Sequence, residues 1–292
     1  MLLVLSAGLL LVLLVLLSTF VLSTFVVLST FVLSTFVLST FVLSTSVLST
    51  SVLSTLTLST GCSSVCIGVF AISGGAVQGN DWHLHNNGQE GFYLESAATI
   101  VDGLYLENNA DSGLHIDDAR YVFLSNLVST GNGDAGLEFN RANDIESVSG
   151  DVSCTNCTSI GNSRGVVAVD SVDLYLSNLQ VHDPLTGPAI SIDNSGLNIG
   201  VQGGMFHIND AKTWLNFSGP AIEIFGAEGE IDGLDMYGSH TGLTWDANHN
   251  VERNSILSNA NFSGTGCLNL SNHDQLIGHS NTITSACTGD LN

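Results

Sequence analysis

From residue 86 onward one short pattern recurs: a turn rich in Asn, Asp and Gly, a glycine, then an apolar–x–apolar–polar tetrad. Asn86-Asn87-Gly88-Gln89-Glu90-Gly91-Phe92-Tyr93-Leu94-Glu95 is followed by Asn108-Asn109-Ala110-Asp111-Ser112-Gly113-Leu114-His115-Ile116-Asp117, and then by Gly131-Asn132-Gly133-Asp134-Ala135-Gly136-Leu137-Glu138-Phe139-Asn140. Later copies end Val167-Ala168-Val169-Asp170, Ile190-Ser191-Ile192-Asp193, Ile222-Glu223-Ile224-Phe225, Leu243-Thr244-Trp245-Asp246 and Leu268-Asn269-Leu270-Ser271. The leading apolar residue thus falls at 92, 114, 137, 167, 190, 222, 243 and 268, in steps of 22, 23, 30, 23, 32, 21 and 25. A unit this short cannot bury an apolar face alone, so a recurring one implies a solenoid with one rung per copy and two longer loops.

Strand follows from the period-two alternation in runs bounded by Gly and Asn. A second strand signal, Val122-Phe123-Leu124-Ser125-Asn126-Leu127, returns as Leu174-Tyr175-Leu176-Ser177-Asn178-Leu179, which is 178 − 126 = 52 residues or two rungs later. The apolar members of each tetrad are predicted to point inward and stack rung on rung. The 31 glycines against three prolines suit tight corners between strands.

Charge divides the chain. Residues 1–80 carry no charged side chain, and the remaining 212 (292 − 80) hold all 27 acidic and five basic residues. One sizeable domain fits in that length. A net charge of −22 excludes nucleic acid as a partner, because binding it needs clustered Lys and Arg. It also repels polyanionic glycans unless cations bridge the two, which leaves a place for calcium.

Residues 1–61 form an apolar leader built on a tandem pentapeptide, Val32-Leu33-Ser34-Thr35-Phe36 and its copies. A period of five gives neither a helix nor a strand a consistent apolar face. The segment reads as an expanded signal-peptide core or a membrane segment, which places the domain outside the cell or at its surface. Residues 62–85 are expected to form a cap or first rung, and residues 86–292 the solenoid and its C-terminal cap. Six cysteines after such a leader fit an oxidising compartment. Cys267 and Cys287 flank the last segment as a closing disulfide, whereas Cys154-Thr-Asn-Cys157 has metal-ligand or redox spacing with no second pair to complete a zinc site.

Equivalent outward residues on neighbouring rungs form columns, about 4.8 Å apart. One reads Tyr93, His115, Glu138, Ala168, Ser191, Glu223, Thr244, Asn269, and the next reads Glu95, Asp117, Asn140, Asp170, Asp193, Phe225, Asp246, Ser271. The chemistry concentrates at Glu95, His115, Asp117, Asp118 and Glu138. Paired carboxylates on adjacent rungs suit general acid–base work on a glycosidic bond, and like charges raise one another's pKa. His115 and Glu138 interrupt their column, as a site would. Against this, Asp and Asn recur at the strand ends on most rungs, where they close turns onto the backbone. Tyr93 and Phe225 are placed outward to stack on sugars, and Trp245 inward. His83-Leu84-His85 puts two imidazoles on one strand face without a third metal ligand.

The rung pattern resembles the right-handed parallel β-helix repeat family, which includes pectate lyases, polygalacturonases and many surface and phage proteins. The resemblance covers residues 67–292 and implies an all-β, single-stranded parallel solenoid of about eight to nine rungs. Of the polygalacturonase segments only an Asp-Asp, Asp117-Asp118, is present. Pectate-lyase-like sites use a basic residue among calcium-binding acids; Arg120 and Arg141 lie near the cluster but in no matching motif. Leu58-Ser59-Thr60-Gly61-Cys62-Ser63-Ser64 resembles a bacterial lipobox, which implies lipidation at Cys62, although Ser59 stands where that motif has Leu. The expected function is non-catalytic binding of glycans or partners, or a rigid scaffold. The alternative is a polysaccharide hydrolase or lyase using Asp117, Asp118, Glu138 and His115, with Tyr93, Glu95 and Arg141 holding substrate.

Overall fold

The computed structural model describes residues 67–141, 152–171, 173–195, 205–215, 220–238, 242–246, 254–262, 267–271 and 275–283, together with short strands at 26–28, 31–33, 36–38, 46–53 and 56–59. Every strand pairing among them is parallel, and the chain returns to each sheet once per turn. One face is made of short strands: Phe92–Glu95, Leu114–Asp117, Ala135–Asn140, Arg164–Val169, Ile190–Asp193, Ile222–Phe225, Gly242–Asp246 and Cys267–Ser271. The other is made of long, bent strands, among them Ala98–Glu107, Val122–Thr130, Val152–Ile160, Leu174–His182, Met205–Leu215 and Glu228–Gly238. Each short strand carries one motif copy. The eight copies enclose about seven turns, fewer than the eight to nine rungs expected from counting copies and caps.

The alternation decides what goes inside. Phe92 and Leu94 stack on Leu114 and Ile116, then on Leu137 and Phe139, all fully buried. Trp245 is buried as expected, its indole N–H donating to the Ala227 carbonyl at 2.9 Å. The repeat of Val122–Leu127 at Leu174–Leu179 lies two rungs up through the intervening Val152–Ile160.

The fourth copy sits one residue earlier than the sequence suggests. Leu137 pairs with Val166 and Asn140 with Val169, so the outward residues are Val167 and Val169 in place of Ala168 and Asp170. Four apolar residues in a row, Val166 to Val169, hide the parity there; Asp170 instead takes the left-handed corner with φ 48°.

Two amide ladders fix the corners. The bend within each long strand falls on Asp81, Gly103, Asn126, Asn156, Asn178, Asp210, Gly233 and Asn259, all with φ between 50° and 76°. Asn, Asp and Gly are the residues that tolerate that region. The second ladder is buried: Asn87, Asn109, Asn132 and Asn162 pass side-chain amide hydrogen bonds from rung to rung at 2.7–2.9 Å. The Asn of the motif's turn is therefore a core residue.

Cys154 and Cys157 form a disulfide inside the solenoid, both fully buried, which replaces the metal or redox role their spacing suggested. They occupy stacking positions held by Leu124 and Leu127 below and by Leu176 and Leu179 above. Cys62, Cys287 and the Cys267 side chain lie outside the described residues. In the leader, Val26 pairs with Ser46, Phe31 with Ser51 and Phe36 with Leu56, each 20 residues or four pentapeptides on (46 − 26 = 20). Ser46–Leu53 and Leu56–Ser59 pair in turn with Val69–His85. The expectation from the five-residue period concerned a consistent apolar face, and the side chains that would show one lie outside the described residues; the backbone at these positions pairs as strand. Stacked strands need equivalent residues at a fixed interval, and four pentapeptides supply one.

Candidate functional site

The short-strand face brings Tyr93, His115 and Glu138 into one column and Glu95 and Asp117 into the next. Asp118 follows in a left-handed corner with φ 53°, and Arg141 holds the same corner one rung later with φ 47°. Arg141 reaches back so that Nη2 lies 2.8 Å from Asp117 Oδ1 and Nη1 lies 3.7 Å from Asp118 Oδ2. The Tyr93 hydroxyl donates to the other Asp117 oxygen at 3.4 Å, and its ring lies 4.7 Å from the His115 ring. Tyr93 is pushed up to about 12 by burial first, then by the neighbouring Asp117 and Glu95 charges. Glu95 itself is exposed at the edge of the cluster.

His115 lies between two carboxylates, its Nδ1 3.7 Å from Glu90 Oε1 and 3.9 Å from Glu138 Oε2. Burial works against its charged form, but Glu90, Glu138 and Asp117 outweigh it and hold the imidazole above its ordinary 6.5. Glu138 also accepts from the Ser112 hydroxyl at 2.6 Å. Burial and the nearby Glu90 and Asp134 raise Asp111. One rung on, Arg164 clasps Asp134 through Nε at 2.7 Å and Nη2 at 2.6 Å.

Sequence reasoning missed Glu90, Asp111 and Ser112. All three sit in the motif's turn, within two residues of its glycine, where a polar residue reads as solvated. The available signal was the turn itself: a turn that carries a buried amide ladder also folds its flanking side chains over the strand ends.

Two polar atoms of this cluster, Glu90 Oε2 and His115 Nε2, are buried without a hydrogen-bond partner. Asp117 is engaged by Arg141 and Tyr93 and Glu138 by Ser112, while Asp118 is 35% exposed and Glu95 faces solvent. Among the described residues no group of three or more His, Cys, Asp or Glu side chains is placed to hold a metal ion. His83 and His85 lie with ring centroids 4.6 Å apart, and His83 Nε2 is 3.2 Å from Glu107 Oε2. Turn closure accounts for other members of the acidic column: Asp193 accepts the Ser195 backbone N–H at 3.0 Å.

A family model described as right handed beta helix region matches residues 53–206, over half of the chain. No curated protein and no solved structure matches the sequence.

Proposed function

The chain belongs to the right-handed β-helix family, and on that scaffold we propose an exported, non-catalytic protein that binds a glycan or partner on its outer faces. One observation carries this reading. The two central carboxylates are tied to fixed partners, Asp117 to Arg141 and Glu138 to Ser112, and Glu90 Oε2 and His115 Nε2 are buried away from any substrate. A general acid or base must come within hydrogen-bond reach of the proton it moves. Export is supported by the apolar leader and by the buried Cys154–Cys157 disulfide, which persists in an oxidising compartment. Anchoring would come from the leader itself or from a lipid on Cys62.

The test is a turnover screen on neutral and acidic polysaccharides, with and without calcium, comparing wild type with Asp117→Ala. The expected outcome is no product from either protein. Product released by wild type and lost in the variant would establish the hydrolase or lyase alternative. Fractionation of cells into cytoplasm, envelope and medium tests export, and an intact mass in the envelope that corresponds to a chain starting at lipid-modified Cys62 is the expected result for the lipid-anchored form.

A further inference from the structure

The long-strand face carries a groove that the sequence did not single out. It crosses three rungs, Leu174–His182, Met205–Leu215 and Glu228–Gly238, and runs between two outward columns. Tyr175, His207 and Glu230 form one wall; Ser177, Asn209 and Asp232 form the other; Leu176 and Ile208 lie at the floor, and the volume is about 250 Å³. Pockets for drug-sized ligands span roughly 300–1,000 Å³, so this groove takes one small ring and not a large molecule.

Its polar groups differ from those around His115 in being available. Neither the Ser177 hydroxyl nor the Asn209 amide is held by another described side chain. Asp232 is oriented through one oxygen only: Oδ1 accepts from Ser258 at 2.7 Å and from Asn259 at 2.6 Å, and these bonds hold the carboxyl below its ordinary range. Oδ2 remains to accept from a ligand. On the opposite wall the Tyr175 and His207 rings stack at 4.6 Å with planes 1° apart, and His207 Nδ1 lies 3.5 Å from Glu230 Oε2. Stacked face to face along the rungs, the two rings present their edges to the groove, and Glu230 stands at the end of that wall.

We propose that this groove is a subsite for a neutral saccharide, whose ring hydroxyls donate to Asp232 and exchange hydrogen bonds with Asn209 and Ser177 while the Tyr175–His207 stack lines one side. A polyol is the ligand that uses closely spaced donors and acceptors together with an aromatic wall. Glu230 and Asp232 repel uronates and phosphates. Among the described residues no group of three or more His, Cys, Asp or Glu side chains is gathered here to hold a cation. The inference rests on the glycan-binding form of the proposed function and assigns it a place.

The experiment is titration calorimetry of the full chain with cellohexaose, xylohexaose, maltohexaose and mannohexaose. Wild type is compared with Asn209→Ala, Ser177→Phe and the control Leu185→Ser, an exposed position outside the groove, with melting curves for each. Binding of at least one probe is expected, weakened about tenfold by Asn209→Ala, abolished by Ser177→Phe and unchanged by Leu185→Ser. If Ser177→Phe does not fold, Asn209→Ala decides, since that side chain is exposed. Wild-type affinity retained in correctly folded groove variants overturns the site and leaves glycan binding standing. No binding of any probe to wild type overturns both. Heat from calcium alone, abolished by Asp232→Asn, overturns the saccharide assignment in favour of a cation.

Discussion

Arg141 reaches across one rung to set its Nη2 2.8 Å from Asp117 Oδ1, so the most enzyme-like carboxylate of the sequence is the acceptor of an ion pair. The arginine side chain is 52% exposed and the aspartate 17%, which makes the pair a surface clasp with one sheltered end. Exposed pairs of this kind contribute about 0–1 kcal/mol. Asp117→Ala is therefore expected to lower stability by about 1 kcal/mol, measured as the shift in urea midpoint, because Arg141 can turn to solvent once its partner is gone. A loss of several kcal/mol would mean that the pair is buried and that its role is to hold the rung.

His115 makes stability depend on pH. Burial disfavours the imidazolium, and the facing Glu90, Glu138 and Asp117 carboxylates more than offset it, so the folded pKa stands above 6.5. A group raised in the folded state stabilises fully below its unfolded pKa, and that contribution is lost as pH rises through the folded value. The stability difference between wild type and His115→Gln is expected to shrink as pH climbs from about 6.5 through the folded pKa, a comparison that cancels the opposite contributions of His85 and His182, which burial lowers. An NMR titration placing His115 below 6.5 would reverse the sign and remove the argument.

The buried amide ladder supports the turns. Asn132 accepts from the Asn109 backbone and side chain at 2.9 and 2.8 Å, and donates to Asn162 at 2.9 Å and to the Leu106 carbonyl at 3.1 Å. Asn132→Ala leaves those partners buried and unmet, at roughly 1–3 kcal/mol for each uncompensated group. A loss of roughly 2–4 kcal/mol is expected by chemical denaturation. Asn126→Gly is the contrast: it sits exposed at φ 54°, which glycine adopts without strain, and should cost well under about 1 kcal/mol.

The solenoid was legible because two signals agreed: apolar–x–apolar tetrads gave strands, and their spacing gave rungs. Parity failed only at Val166–Val169, where no polar residue marks a face. The site was half legible. Tyr93, His115, Asp117 and Glu138 do converge, since register alone places them in columns. Their engagement was invisible, because Arg141, Ser112 and Glu90 come from corners and turns, whose side-chain directions no alternation dictates. The Tyr175–Asp232 groove was missed for a related reason. Its residues lie on three long strands that carry the weaker repeat, and only the stacked rungs put Ser177, Asn209 and Asp232 in line.

The Cys154–Cys157 disulfide permits a test of what the core requires. It joins residues either side of the Asn156 corner, where φ is 56°, and brings their Cα atoms to 6.0 Å. A loop this short removes little entropy from the unfolded chain, about 2 kcal/mol in the loop-closure account. The neighbouring rungs fill the same two positions with leucines, Leu124 and Leu127 below and Leu176 and Leu179 above, so the stack accepts larger apolar groups at this level. Cys154→Leu/Cys157→Leu is therefore expected to melt within several degrees of wild type, its gain in apolar contact offsetting the lost cross-link. Cys154→Ser/Cys157→Ser should melt well below both, because it buries two hydroxyls in an apolar column. Equal melting of the serine and leucine variants would mean that the cross-link, and not the apolar fill, is what this rung needs.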